Sequence, residues 1–390
     1  MVKLSLFFFF LFSSYAAMGA LMPLYLKYQG LTTEQIGLTL ALGAVIAVAG
    51  QPIFGYLSDK IQSTKKVLIS VMVITLISSF VYFHVHSFLW IITLFVFLNF
   101  FQSPTGPLTE NITIAYAKKH QKNYGVIRLW GDVGVGTAAV VLGILIGIFG
   151  VQYLGWMYAV IIIIAIILGF TLQDERRKIT TPISVKSLKV LLVNKEYLWF
   201  LLLTLLLFIT HRMNDSLFTV YLSELGASES QVGLAWMLAT FASAPLFIIS
   251  ARLLKKYKEL TLIIIAGALY SVRWLLYGLF DDPVALIYLQ LLNGLTFPIF
   301  LVAGLFFVTK IVPEEITATG QTIFIAVIVG IAGLIGSGGG GWIMERFGAP
   351  STYLLGAVIT LFGTLLCIGT YMYQSNKLVS INNKVKSEGE

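Results

Sequence analysis

The chain has 390 residues, of which 58% are hydrophobic and only 11% are charged, a composition that excludes an ordinary water-soluble domain. Its formal net charge is +8, and the placement of the basic residues assigns this charge to membrane topology, not to a nucleic-acid partner. Apolar segments of about 20 residues, enough to cross ~30 Å of hydrocarbon as helices, recur along the sequence. Because lipid offers no hydrogen-bond partners and the alternation typical of barrel strands is absent, these segments are predicted to be helices.

Breaks in hydrophobicity divide the sequence into twelve predicted spans. The first six lie near residues 4–26, 34–57, 66–84, 88–116, 124–149 and 152–172, and the second six near 197–222, 229–252, 260–279, 283–311, 317–341 and 351–373. The predicted fold class is therefore an all-α membrane protein with twelve transmembrane helices. The predicted domains are an N-terminal six-helix bundle at 1–172, a cytoplasmic linker at 173–196, a C-terminal six-helix bundle at 197–373 and a cytoplasmic tail at 374–390.

Lysine and arginine indicate the orientation of the spans, since cytoplasmic loops are enriched in both. With the N-terminus inside, most basic residues fall on the cytoplasmic side, whereas the outer loops hold Lys27 and Arg346. The chain is therefore predicted to be a multi-pass protein of the plasma membrane with both termini in the cytoplasm, and it is expected to act as a monomer. The single cysteine, Cys367, lies in the last span, so an intrachain disulfide is impossible.

An internal repeat relates the two halves of the chain. The segment "YLKYQGLTTEQIGL" begins at Tyr25 and "YLSELGASESQVGL" begins at Tyr221, and six residues recur at the same places. Each copy leaves one span, crosses a short outer loop and enters the next span, where Thr33 or Ser228 followed by acids suits a helix start. The repeat predicts two similar bundles in parallel orientation, an architecture typical of alternating-access transporters.

Seven ionisable side chains remain within the predicted spans: Glu110, Arg128, Asp132, His211, Arg212, Asp215 and Arg273. A lone charge at the bilayer centre costs roughly 2.5–3.5 kcal/mol, so we expect the three acids and three arginines to pair and to face protein or water. Glu110 and Arg128 end and begin neighbouring antiparallel spans and are expected to meet. Asp132 lies four residues after Arg128 on the same helical face, and Asp215 bears the same relation to His211.

Each of these side chains also has a simpler interpretation. Arg128 and Glu110 could anchor helix ends by reaching toward the cytoplasm, and the deeper charges could form purely structural ion pairs. His211 could be an interior histidine without a proton-carrying role, although an ordinary pKa of about 6.5 would let such a side chain titrate. Trp130 could stack on a sugar or another ring, although interfacial belts and packing account for most membrane aromatics.

The segment "GYLSDKIQSTKK", residues 55–66, resembles the loop after the second span of the major facilitator superfamily. The match includes Gly55, Asp59 and Lys60, while Gln62 stands where the family usually has glycine. In the family this loop is a conformational gate, so the resemblance implies a gating role for Gly55, Asp59 and Lys60.

The segment "YGVIRLWGDVGVG", residues 124–136, is similar to the fifth helix of lactose permease and its phenylpropionate-permease-like and nucleoside symporter relatives. The resemblance implies that Arg128 binds substrate and pairs with Glu110, and that Arg273 assists proton coupling. The histidine and glutamate that the family has on its tenth helix are here Asn293 and Thr296. Any proton carrier must therefore lie elsewhere, and Asp215, His211, Asp132 and Glu110 are the candidates.

These observations predict a secondary active transporter, with proton-coupled import of a sugar, nucleoside or aromatic acid as the leading hypothesis. The predicted substrate-binding residues are Arg128, Glu110, Asp132 and Trp130, and the predicted proton-coupling residues are Asp215, His211 and Arg273. The alternative is proton-driven efflux of drugs or metabolites, which is less favoured because "GDVGVGTAAVVLGILIG" lacks the proline typical of such exporters. The sequence contains no HExxH motif and no nucleotide-binding glycine loop, so neither an enzyme nor a metal or other cofactor is expected.

Overall fold

The computed structural model describes residues 1–174 and 185–388, and the regular elements within these ranges are all helices. Residues 175–184 of the predicted linker, and 389–390 of the predicted tail, lie outside the described residues. Eleven helical stretches are long and apolar enough to cross a membrane. The last of them, Glu314–Gln374, has 61 residues and contains two spans, because the backbone of Gly348 adopts φ 79° and ψ 162° and ends one helix there. The twelve predicted spans are therefore confirmed.

We number these spans in chain order. Spans 1 to 6 are Val2–Tyr28, Thr33–Ile61, Thr64–Tyr82, Phe88–His120, Tyr124–Phe149 and Val151–Phe170. Spans 7 to 10 are Lys195–Glu224, Glu229–Leu253, Glu259–Leu279 and Pro283–Ile311. Span 11 runs over residues 314–347, and span 12 begins after Gly348 in a helix that continues to Glu388. A short helix, Val185–Val193, precedes span 7 within the predicted linker.

Span 4 is interrupted where proline removes a backbone donor. Its two helices are Phe88–Gln102 and Thr105–His120, and Pro104 lies at the junction. Because proline lacks an N–H and crowds the preceding turn, the helical ladder breaks at this point. The second helix is thereby placed with Glu110 facing span 5.

The repeat has the same local geometry in both halves. Gly30 and Gly226 each adopt a left-handed backbone, with φ of 81° and 82°, which is the conformation that glycine tolerates at a helix C-terminus. Thr32 and Ser228 then form capping boxes at the starts of spans 2 and 8. Span 2 starts at Thr33, as expected, and the side chain that accepts the capping hydrogen bond is that of the preceding residue, Thr32.

The two bundles meet along spans 2 and 11 and along spans 5 and 8. At the first contact a Cβ on Gly37 would overlap the carbonyl oxygen of Ser337, and at the second a Cβ on Gly233 would overlap that of Ala139. Backbones approach this closely only where no side chain intervenes. Since Gly37 and Gly233 are equivalent in the repeat, the two contacts form one pseudo-symmetric seam between the bundles.

Span 11 contains two π-helical segments, Val327–Ile331 and Leu334–Gly339. The extra residue in a π-helical turn changes the direction in which the following side chains point around the helix axis. Gly336 in the second segment packs against the backbone of Ile209 in span 7. Span 11 is therefore wedged between span 7 of its own bundle and span 2 of the other.

Polar contacts between the bundles, within residues 1–174 and 185–388, cluster at the end that carries loops 29–32 and 225–228. They are Lys27–Glu224 at 3.7 Å, Arg346–Glu34 at 2.9 Å, Thr33 N–H to Glu345 at 2.7 Å and the Thr219 hydroxyl to the Ala20 carbonyl at 2.8 Å. We call this end the sealed end. The glycine seam at Gly37 and Gly233 lies in the same half of the molecule, so sealing combines close backbone packing with ion pairs.

Candidate functional site

A cavity of about 620 Å³ lies between the two bundles, at the middle of the spans. Its charged and amide side chains are Asn99, Asp132, Arg212, Asp215 and Asn293. Its aromatic side chains are Phe12, Tyr15, Phe95, Trp236, Phe247 and Phe297. The volume falls within the range of about 300–1,000 Å³ that is common for small-molecule sites, and an aromatic lining with few polar groups is typical of them.

Arg128 joins two carboxylates on the first-bundle side of the cavity. Its Nε donates to Glu110 at 3.1 Å and its Nη1 donates to Asp132 at 3.0 Å. The guanidinium also lies over the ring of Phe12, 4.9 Å from the centroid. The expected meeting of Glu110 and Arg128 is confirmed, and Asp132 shares the arginine with Glu110. Of these three charged residues, Asp132 lines the cavity.

On the second-bundle side, Arg212 is paired with Asp215. Arg212 Nη1 donates to Asp215 at 2.8 Å, one helical turn away in span 7. Both side chains line the cavity and both are about one quarter exposed. Arg212 is one of the seven charged residues predicted within the spans but was not among the predicted site residues, although its spacing of three residues before Asp215 is the signal for this pair.

His211 lies behind the cavity wall and is 4% exposed. Its Nε2 is 3.7 Å from Asp215, and its Nδ1 is 3.4 Å from the hydroxyl of Tyr270. The imidazole stacks on the ring of Phe297 with an interplanar angle of 10°. The sequence correctly placed His211 on the face of Asp215, and only the structure shows that aromatic rings separate it from the cavity.

Arg273 is fully buried, with 0% exposure. It donates to Gln290 at 2.6 Å, to Asn293 at 2.9 Å and to Thr296 at 3.4 Å. The guanidinium also lies over the ring of Trp274 at 4.5 Å. The expectation that every arginine pairs with an acid was wrong here, since among the described residues no carboxylate lies within 4.0 Å of Arg273. Polar side chains of span 10 accept from its Nη groups instead, and its Nε is buried without a partner.

Asn293 connects Arg273 to the cavity. Its side-chain oxygen accepts from Arg273, so its nitrogen is directed the other way and donates to the Ser243 hydroxyl at 3.2 Å. Asn293 and Ser243 both line the cavity. In the sequence Asn293 stands out only as a departure from the family pattern, and nothing in the local pattern indicates this link.

Trp130 is 44% exposed and does not line the cavity. The structure thus contradicts its expected place beside the substrate. Residues of an α-helix are about 100° apart, so Trp130 points away from the face that carries Arg128 and Asp132. Its position suits contact with lipid.

Gly55, Asp59 and Lys60 lie in the last two turns of span 2, away from the cavity. Gln62 follows in a left-handed conformation with φ 55°, which explains why glycine suits this place in the family. The next residue, Ser63, caps span 3 and hydrogen-bonds to Asp174 at the end of span 6. The motif therefore forms the turn between spans 2 and 3 and is tied to span 6, through an aspartate that the sequence did not single out.

Across residues 1–174 and 185–388 there is no group of three or more His, Cys, Asp or Glu side chains that could hold a metal ion. The site is a chamber between the bundles with an acid on one wall, an acid–arginine pair on the other, and aromatic rings between them. Such a chamber is equipped to bind a polar solute by hydrogen bonds and ring stacking.

A family model described as "MFS_1 like family" matches residues 1–355. The chain belongs to this family. The transporter is 29% identical to the uncharacterized transporter YwbF of Bacillus subtilis over 95% of its own length and 93% of that protein. It is 25% identical to the maltose permease of Geobacillus stearothermophilus, with 93% and 92% of the chains covered.

The fold of the transporter is also that of a crystal structure of the nucleoside transporter NupG, with a TM-score of 0.86 at 17% sequence identity, covering 95% of this chain and 98% of that one. The major facilitator fold indicated by residues 55–66 and 124–136 is therefore confirmed. The protein is a multi-pass membrane transporter and not an enzyme.

Proposed function

We propose that this transporter imports a small polar solute together with a proton, by alternating access. The observation that carries this proposal is the cavity between the two bundles, with Asp132 on one wall and the Arg212–Asp215 pair on the other. Sugars, nucleosides and aromatic acids are the candidate solutes. The similarity to a maltose permease supports the first of these classes.

The first-bundle cluster is the proposed substrate site. Asp132 reaches the cavity directly, and Arg128 fixes its carboxylate while Glu110 holds the other side of the guanidinium. A planar guanidinium held by two carboxylates is oriented more rigidly than a lysine ammonium could be. The anchoring interpretation of Arg128 and Glu110 is less favoured, because both are bound to each other instead of reaching toward headgroups.

The second-bundle cluster is the proposed proton site. Asp215 is in contact with Arg212, and His211 lies close behind it. Protonation of the Asp215 carboxylate would weaken its bond to Arg212, and deprotonation would restore it, so a proton and the pair's geometry are coupled. Arg273 would act at a distance by adding a fixed positive charge behind this wall.

In the orientation predicted from the basic residues, the sealed end faces the outside and the cavity is reached from the cytoplasm. The proposed cycle opens the glycine seam and the ion pairs at the sealed end while closing the opposite end. Gly55, Asp59 and Lys60 belong to the proposed gate on the cytoplasmic side, since they end span 2 just before the segment, Ser63 to Lys65, that Asp174 binds. We propose a monomer in the plasma membrane with both termini in the cytoplasm.

Uptake into proteoliposomes tests this function. Purified protein is reconstituted, and labelled maltose, uridine and 3-phenylpropionate are supplied with and without an inward proton gradient. Accumulation of at least one solute that the gradient enhances supports symport. Loss of preloaded solute driven by the same gradient would instead establish the efflux antiporter, and movement indifferent to the gradient would establish a uniporter.

A further inference from the structure

We infer that the cavity selects an electrically neutral, hydroxyl-rich solute and rejects carboxylates, an inference that rests on the proposed transport function and narrows its substrate class. The three candidate classes differ in charge, since sugars and nucleosides are neutral whereas an aromatic acid carries a carboxylate at neutral pH. Which class fits depends on whether a cationic side chain is free to receive a negative charge.

Neither arginine nearest the cavity is free in this sense. Arg128 is shared by two carboxylates, Glu110 at 3.1 Å and Asp132 at 3.0 Å. Arg212 is matched by Asp215 at 2.8 Å. The Nε of Arg212 is buried without a partner among the described residues, so it is not presented to a solute. A solute carboxylate that approached an outer Nη group would share a guanidinium whose charge is already balanced, and it would lie beside the carboxylates that balance it in a partly desolvated site.

The third arginine cannot receive the solute either. Arg273 has no exposed surface, its Nη groups donate to Gln290, Asn293 and Thr296, and Trp274 covers one face of the guanidinium. Its Nε is buried without a partner among the described residues and is therefore out of reach of a solute. What reaches the cavity from this direction is the amide of Asn293, which is neutral. A ligand in the cavity therefore does not contact the Arg273 guanidinium and meets only the neutral amide of Asn293, which Arg273 orients.

The formal charges of the whole constellation sum to zero, because three carboxylates (Glu110, Asp132, Asp215) stand against three guanidinium groups (Arg128, Arg212, Arg273). The part that lines the cavity carries two carboxylates and one guanidinium. A carboxylate solute would therefore meet two like charges, and the arginines that balance those charges are already bound to them, which is a repulsive basis for specificity. A neutral solute meets no such penalty.

A hydroxyl-rich solute finds complementary groups on both walls. The carboxylates of Asp132 and Asp215 accept hydrogen bonds from hydroxyl groups, and the amides of Asn99 and Asn293 both donate and accept. Aromatic rings between them, including Trp236 and Phe297, can cover the apolar faces of a sugar or a base. The cavity of about 620 Å³ is large enough for such solutes.

Thermal unfolding of the purified full-length protein at neutral pH tests this inference. The midpoint is measured without ligand and with maltose, uridine or 3-phenylpropionate at equal concentrations, since a ligand that binds the folded state raises the midpoint. For the native protein we expect protection by maltose or uridine and none by 3-phenylpropionate. Protection by 3-phenylpropionate equal to that of the neutral solutes, or no protection by either neutral solute, would overturn the inference.

A variant in which Arg212 has lost its carboxylate partner provides a second test. Asp215→Asn removes the partner of Arg212, so 3-phenylpropionate should now protect, with apparent affinity at least about tenfold above that of the native protein. Asp281→Asn, an exposed loop residue, is the matched control and should gain nothing. If Asp215→Asn does not fold, Asp132→Asn relieves the same repulsion on the opposite wall. A folded variant that gains no affinity for the anion contradicts the inference.

The outcomes for binding and transport are separable. If the protein binds neutral solutes but accumulates none of them in proteoliposomes, the inferred charge selectivity stands and the proposed symport is refuted. If the protein accumulates 3-phenylpropionate together with protons, the proposed symport stands and the inferred charge selectivity is refuted.

Discussion

Gly37 of span 2 and Gly233 of span 8 occupy equivalent places in the repeat, and each packs against a backbone carbonyl of the opposite bundle, at Ser337 and Ala139 respectively. The relation is reciprocal, since one glycine belongs to each bundle. Because glycine has no side chain, the backbones of both helix pairs pack in direct contact at the sealed end. This arrangement makes the sealed conformation sensitive to a single methyl group at either place.

Gly37→Ala and Gly233→Ala are each expected to shift the population toward a conformation open at the sealed end. The added methyl would overlap a carbonyl oxygen, so spans 2 and 11 or spans 5 and 8 must separate. With Cys367 replaced by Ser and a reporter Thr240→Cys in the cavity wall, labelling by an impermeant maleimide from outside should rise about tenfold, equivalent to roughly 1.4 kcal/mol. Gly369→Ala, where no atom lies within 4 Å of the new methyl, is the control. Unchanged labelling in both seam variants would refute a sealing role.

Arg128→Lys is expected to reduce uptake by about ten- to a hundredfold while membrane insertion stays intact. Lysine keeps the charge but cannot hold Glu110 and Asp132 at once with planar geometry, and each lost charged hydrogen bond is worth about 1.5–3 kcal/mol. Initial uptake rates and the amount of protein in the membrane are measured together. Arg252→Lys, an exposed arginine in the last turn of span 8, is the control. If the Arg128→Lys variant has the uptake rate of the native protein, Arg128 anchors the end of its helix and does not bind substrate.

Asp215→Asn is expected to abolish accumulation against a gradient while exchange of labelled for unlabelled solute continues. Asparagine is nearly isosteric but cannot gain or lose the coupled proton, so the bundles can still alternate without proton movement. Counterflow and gradient-driven uptake of the same solute are compared in one preparation, with Asp281→Asn as control. Gradient-driven accumulation at the native level would exclude Asp215 as the proton carrier.

Gln62→Gly is expected to stabilise the folded protein by roughly 0.5–1 kcal/mol. A side chain in the left-handed region costs about 1–2 kcal/mol, which exceeds the ~0.5–1 kcal/mol that glycine loses through greater flexibility of the unfolded chain. The midpoint of thermal unfolding in detergent is the measurement. Gln62→Ala keeps the Cβ and should bring no gain, so equal behaviour of the two variants would show that backbone strain at this turn is unimportant.

The sequence by itself determined the number of spans, the duplication of the bundles, the pairing of Glu110 with Arg128 and the shared face of His211 and Asp215. Each of these depends on short-range features: hydrophobic length, a repeat of local turn residues, and helical spacing. A transmembrane helix must satisfy its own backbone, so these local features have few alternative outcomes in lipid.

Only the tertiary structure decided which way the faces of the spans point and what they meet. Trp130 faces away from the cavity, and Arg273 binds amides of span 10 instead of an acid. These outcomes depend on the rotation and depth of each helix, which are fixed by contacts between distant spans such as the glycine seam. Local spacing along one helix carries no information about those contacts.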